Sequence, residues 1–143
     1  MTIHQISVFL ENRSGQLAEI TGILSDNHID LRAISIAETA DYGVLRLIVN
    51  KPQEASAILL EHGFILSMTP VVAVTVPDQP GGLSNLLSVL SSAGIDIEYM
   101  YSVFGQSNGL AYMIFRVSNL EKFGAVLSAN GITAVPGGDL GIH

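Results

Sequence analysis

The sequence predicts an α+β protein made of two tandem βαββαβ units, and three observations predict it. First, Gly15 and Gly81, Asp30 and Asp96, and Gly43 and Gly109 pair off at one constant spacing of 66 residues. Second, within each copy the apolar period switches between two and 3.6 in the same order. Third, each copy joins a strand to a helix through a glycine turn, "LENRSGQLAEITGIL" at 10–24 and "VPDQPGGLSNLLSVL" at 76–90.

In the first copy, "HQISVFLE" (4–11) is rich in apolar and β-branched residues and reads as a strand. "QLAEITGILSDN" (16–27) carries Leu17, Ile20, Ile23 and Leu24 at helical spacing. "DLRAISIAE" (30–38) and "YGVLRLIVN" (42–50) flank a polar turn as a hairpin. Pro52 opens the helix "PQEASAILLEH", where a missing N–H is no loss, and "GFILS" (63–67) is the last strand. The second copy repeats this with strands near 71–77, 97–104, 109–117 and 131–135 and helices near 81–93 and 119–129. Pro70 is expected to break the apolar run 63–76 into two strands with a kink, which sets the units at 1–69 and 70–143. Late in the copies the register slips by two, since Gly63 of "HGF" matches Gly131 of "NGI", 68 residues on.

A βαββαβ chain with right-handed crossovers gives a four-stranded antiparallel sheet with both helices on one face, the ferredoxin-like arrangement. The strands "VLRLIV", "LAYMIF" and "VVAVTV" are apolar at consecutive positions, so the face without helices also needs a cover. A unit this small buries only a modest share of its surface. The two copies are therefore expected to fold as one cooperative body, and the remaining apolar surface to drive homodimerisation.

With 48% hydrophobic and 13% charged residues, the composition is that of a folded globular protein. A net charge of −7 and the lack of a basic cluster argue against nucleic acid and anionic membranes as partners. Disulfides and thiolate chemistry are excluded, because there is no Cys. "MTIHQISVFL" has no basic start or small-residue cleavage site, and no apolar run reaches the ~20 residues of a membrane helix, which reads as a cytoplasmic protein. His4, His28, His62 and His143 are scattered without an i, i+4 pair, so no metal site or cofactor is expected. Phosphate-loop, dinucleotide and nucleophile-elbow motifs are lacking, and no catalytic residue is assigned. Tyr99 and Tyr101, two apart, are expected to share one face of their strand, and Tyr112 and Phe115 to pack on the sheet.

At the glycine turns the sequence resembles the ACT domain family, small ligand-binding modules of amino-acid metabolism. The second copy has the full pattern as "DQPGGL" with "GIDI"; the first has "NRSGQL" with "HIDL", Ser14 replacing the usual proline. The likeness spans residues 3–136, and the nearest look is to stand-alone proteins of two ACT domains. The resemblance implies an amino-acid ligand on the turns, contacted by Asn12, Arg13, Ser14, Gly15, Gln16 and Leu17 in one copy and by Asp78, Gln79, Pro80, Gly81, Gly82 and Leu83 in the other. Amides at each helix start, near Gln16, Leu17, Gly82 and Leu83, would receive its carboxylate. Asp30 or Asp96 would meet its ammonium, with the turn of one unit paired to the Asp of the other. Leu10 and Val76 stand where some members carry a polar clamp residue.

The same residues also fit plainer roles. Asn12, Ser14 and Asp78 are ordinary cap and turn residues, Pro80 an ordinary first-turn proline, and Asp30 and Asp96 ordinary solvated turn residues. Gly82, costly in a helix, marks a close approach of backbone or ligand. Three functions stay open: a non-catalytic amino-acid sensor or regulator, a regulatory subunit of a larger amino-acid biosynthetic enzyme, and a small acyl- or phosphoryl-cleaving enzyme using Arg13.

Overall fold

The computed structural model describes residues 2–11, 14–38, 42–105 and 109–142. Its elements run β1 (Ile3–Glu11), α1 (Gln16–Asp26), β2 (Leu31–Glu38), β3 (Tyr42–Val49), α2 (Pro52–Glu61), β4 (Leu66–Pro77), α3 (Gly82–Ser92), β5 (Ile97–Ser102), β6 (Leu110–Val117) and α4 (Leu120–Ala129). They form two compact units, one holding residues 4–70 and the tail after Pro136, the other holding residues 71–136 with Ile3.

In the first unit the strand order is β2-β3-β1-β4, with β2 at an edge. Antiparallel pairing sets Val8 beside Leu45 and Ile34 beside Leu47. Strand alternation then turns Ile6, Val8 and Leu10 toward α1 and α2, where they share one core with Ile20, Leu24 and Leu59. Both helices therefore cover the same face. On the opposite face, Gln5 is fully buried yet satisfied: its Nε2 donates to Ser7 Oγ at 3.0 Å, and that oxygen lies 2.8 Å from Thr69 Oγ1. The tail closes on the same unit, with Arg32 Nε donating to the Leu140 carbonyl at 2.8 Å and Leu140 itself buried.

The second unit has strand order β4-β6-β5, again with the first strand of its hairpin, β5, at the edge. Its core joins Val74 and Val76 of β4 to Leu86 and Leu90 of α3 and to Phe115 and Phe123, whose rings sit 5.6 Å apart at 41°. Tyr99 and Tyr101 stack at 6.4 Å on one face of β5, as their spacing predicts.

Two strand expectations are corrected. Residues 66–77 form one continuous strand rather than two strands broken at Pro70; the first five residues belong to one unit and the rest to the other. Proline's fixed φ suits an extended strand, and the ladder to β6 begins only at Val72, so that ladder needs no N–H from residue 70. The strand expected at 131–135 is reduced to a single bridge between Val74 and Ala134, with Val135 N–H donating to Ala73 at 2.7 Å.

All four helices end the same way. An amide reaches back five residues to a carbonyl (Ile29 to Leu24, Phe64 to Leu59, Ile95 to Leu90, Ile132 to Leu127), closing a Schellman motif over a left-handed residue. That residue is Gly63, Gly94 or Gly131 in three cases and His28, with φ 58°, in the fourth.

Candidate ligand site at the glycine turns

Gly15 and Gly81 hold the position before α1 and α3 with φ 84° and 89°, left-handed values that glycine adopts without penalty. Neither helix start is closed by a side-chain cap. Around both glycines the space a side chain would fill is open. The helix ladder begins from their carbonyls, which accept from Glu19 at 3.0 Å and Asn85 at 2.9 Å. In the second turn, Asp78 N–H is held by the Gly109 carbonyl at 2.9 Å and Gln79 N–H by that of Pro77 at 2.9 Å. The amides of Leu83 and Ser84 belong to the first turn of α3, where N–H groups lack an intrahelical partner and the partial positive charge of the helix end is concentrated.

Two expectations for this turn change, those for the Gly82 amide and Pro80, while the close approach expected at Gly82 is one of backbone. The Gly82 amide is not free, because it donates to the Gln79 carbonyl at 3.1 Å. Gly82 is required by a neighbouring backbone, since a Cβ there would overlap the carbonyl oxygen of Pro77. Pro80 precedes α3, which starts at Gly82, and so shapes the turn rather than the first helical turn.

The first turn is chemically different. Gln16 stands where the second copy has Gly82, it is only 6% exposed, and its Oε1 has no hydrogen-bond partner among the described residues. Ser14 and Gly15 are exposed and Leu17 is exposed beside them. Asn12 and Arg13 lie outside the described residues.

Asp30 and Asp96 are not brought to the turns of their own units. Each follows the far end of an 11-residue helix, about 16 Å from its start at 1.5 Å per residue. Asp30 pairs with Arg32 at 3.1 Å and borders a separate cavity of about 320 Å³ with Thr21, Ser25 and His28.

Beside the second turn lies a cavity of about 220 Å³, lined by Val76, Pro77, Leu86, Val89 and Ile132, with Thr75, Gln79, Gly82 and Asn85 completing it. Sequence reasoning missed its walls. The spacing of Gly82, Leu86 and Val89 along one helix face signals part of them, but Ile132 arrives from 43 residues further along the chain than Val89, with no sequence cue. Among the described residues, no cluster of three or more metal-ligating side chains exists, and no helix is long and apolar enough to cross a membrane.

With this geometry in view, the sequence matches the ACT domain pair family over residues 1–141. The chain belongs to the ACT domain family. It is an ACT domain pair. Its fold is similar to that of protein BT0572 from Bacteroides thetaiotaomicron, at 40% identity and a TM-score of 0.90, over 99% of this chain and 96% of that one. It also resembles the ligand-free regulatory subunit of aspartate kinase from Thermus thermophilus, at 20% identity and a TM-score of 0.65, over 90% of both chains. Clostridium acetobutylicum aspartate kinase shows the same fold at 13% identity and a TM-score of 0.51, over 90% of this ACT pair but 32% of that chain. A comparison with curated protein sequences finds no match.

Proposed function

We propose that this ACT domain pair is a non-catalytic regulatory protein that senses an amino acid at the Gly81 turn. The observation that carries the reading is the open, left-handed Gly81 set before the first-turn amides of Leu83 and Ser84, beside a cavity of side-chain size. A carboxylate on those amides gains charge-assisted hydrogen bonds and the favourable end of the helix dipole. The Gly15 turn repeats the backbone geometry with Gln16 in place of Gly82, so the two turns bind unequally, the second more tightly. Because Asp96 is a helix length from Gly81, the ligand's ammonium meets a group other than Asp96.

The aspartate kinase regulatory subunit shares the fold, which is the precedent for the same pair serving a separate enzyme as its regulatory part. In that second reading, the chain co-purifies from its source cells with a biosynthetic enzyme. The protein is further proposed to act as a homodimer in the cytoplasm; the exposed Phe9 and Ile65, neighbours whose backbones share a 2.9 Å hydrogen bond, support self-association. Sedimentation at micromolar concentration reads the assembly.

The binding reading is tested by a thermal-shift screen against the twenty amino acids, because a ligand of the native state raises the melting temperature by mass action. At least one amino acid raises it for the unaltered chain, and Gly81→Val, which fills the open space, removes that shift while the protein stays folded. No shift with any amino acid refutes the reading.

A further inference from the structure

We propose that the cavity bordered by Val76, Leu86, Val89 and Ile132 selects an amino acid with an uncharged apolar side chain, an inference that rests on the Gly81 turn being the binding site. Its walls are aliphatic on the strand side, the helix side and the returning segment at Ile132. Its polar members, Thr75, Gln79 and Asn85, are all neutral, and no Asp, Glu, Lys, Arg or His lines it. A charged side chain moved there from water loses hydration without meeting a counter-charge, whereas an aliphatic one gains from leaving water. Size points the same way. Pockets for drug-sized molecules run to roughly 300–1,000 Å³, while this one, at about 220 Å³, suits a single side chain.

The absence of a side chain at residue 82 places the cavity beside the turn. The Pro77 carbonyl forces glycine there, so residue 82, which lines the cavity, brings no side chain into it. The first unit has Gln16 at that position, with its carboxamide buried. Selection for an apolar side chain is therefore a property of the second turn.

Calorimetric titration of the full chain with L-leucine, L-alanine, L-lysine and L-aspartate tests this. L-leucine is expected to bind at least about tenfold tighter than L-alanine, since each methylene in an apolar pocket is worth roughly tenfold or more, and L-lysine and L-aspartate more weakly than L-alanine. Val89→Trp, which fills the cavity, should abolish the preference for leucine over alanine. Asn85→Asp, an isosteric change at an exposed residue, keeps the fold and should shift the lysine-to-leucine affinity ratio toward lysine by about tenfold. Lysine or aspartate binding as tightly as leucine, with that binding still lost in Gly81→Val, overturns the selectivity and leaves the turn site standing. Leucine affinity and ratios unmoved by Asn85→Asp also overturn it. Binding of none of the four, together with a flat thermal-shift screen, refutes the site itself.

Discussion

Gly82 packs so closely on the carbonyl oxygen of Pro77 that any side chain at 82 would overlap it, while Gly81, one residue earlier, looks into open space. The adjacent glycines thus have different reasons to be glycine. Gly82→Ala must push backbone apart and is expected to cost about 1–3 kcal/mol. Gly81→Ala meets only the strain of a left-handed φ, about 1–2 kcal/mol. Urea unfolding of both variants should show Gly82→Ala as the more damaging; the reverse order would contradict the packing.

His28 is the one non-glycine residue at positive φ among the described residues, and its counterpart in the second copy is Gly94. Relief of about 1–2 kcal/mol of left-handed strain, less about 0.5–1 kcal/mol of glycine's added chain entropy, leaves His28→Gly more stable by roughly 0.5–1 kcal/mol. A rise in the urea midpoint at constant slope measures it.

Arg32 ties the chain's tail to the first unit through its bond to the Leu140 carbonyl while its Nη1 pairs with Asp30. Removing it in Arg32→Ala should loosen the tail turn, whose amides at Gly141 and Ile142 donate to Gly138 and Gly137. Hydrogen exchange at those two amides is expected to quicken at least about tenfold, an opening made easier by roughly 1.4 kcal/mol. Unchanged protection would mean that the burial of Leu140 alone holds the tail.

Asp96 lies a helix length from the turn at 78–83, so Asp96→Ala should leave the affinity of that turn for its amino acid within about twofold. A contact with the ligand's ammonium would be worth roughly 1.5–3 kcal/mol, more than tenfold in affinity. Calorimetry on the variant separates the two outcomes.

The duplication, the order of elements and the position of both turns were legible in the sequence because each depends on local chemistry. Gly15 and Gly81 are glycines before helices, Pro52 marks a helix start, and Leu17, Ile20 and Leu24 repeat at the helical period. Local rules also misled at Pro70, which reads as a break, because a proline's tolerance in a strand depends on whether a partner needs its N–H.

What the sequence determined by itself was the pair of βαββαβ units and the two glycine turns, since turns, caps and apolar periods are written in neighbouring residues. Only the tertiary structure decided the rest: that the strand expected at 131–135 shrinks to a bridge at Ala134, that Gly82 answers to the Pro77 carbonyl, and that Ile132 closes a cavity against Leu86 and Val89. It also set Asp96 a helix length from Gly81. These depend on distances between segments remote in the chain, and a distance across the fold has no local signature in the order of the residues.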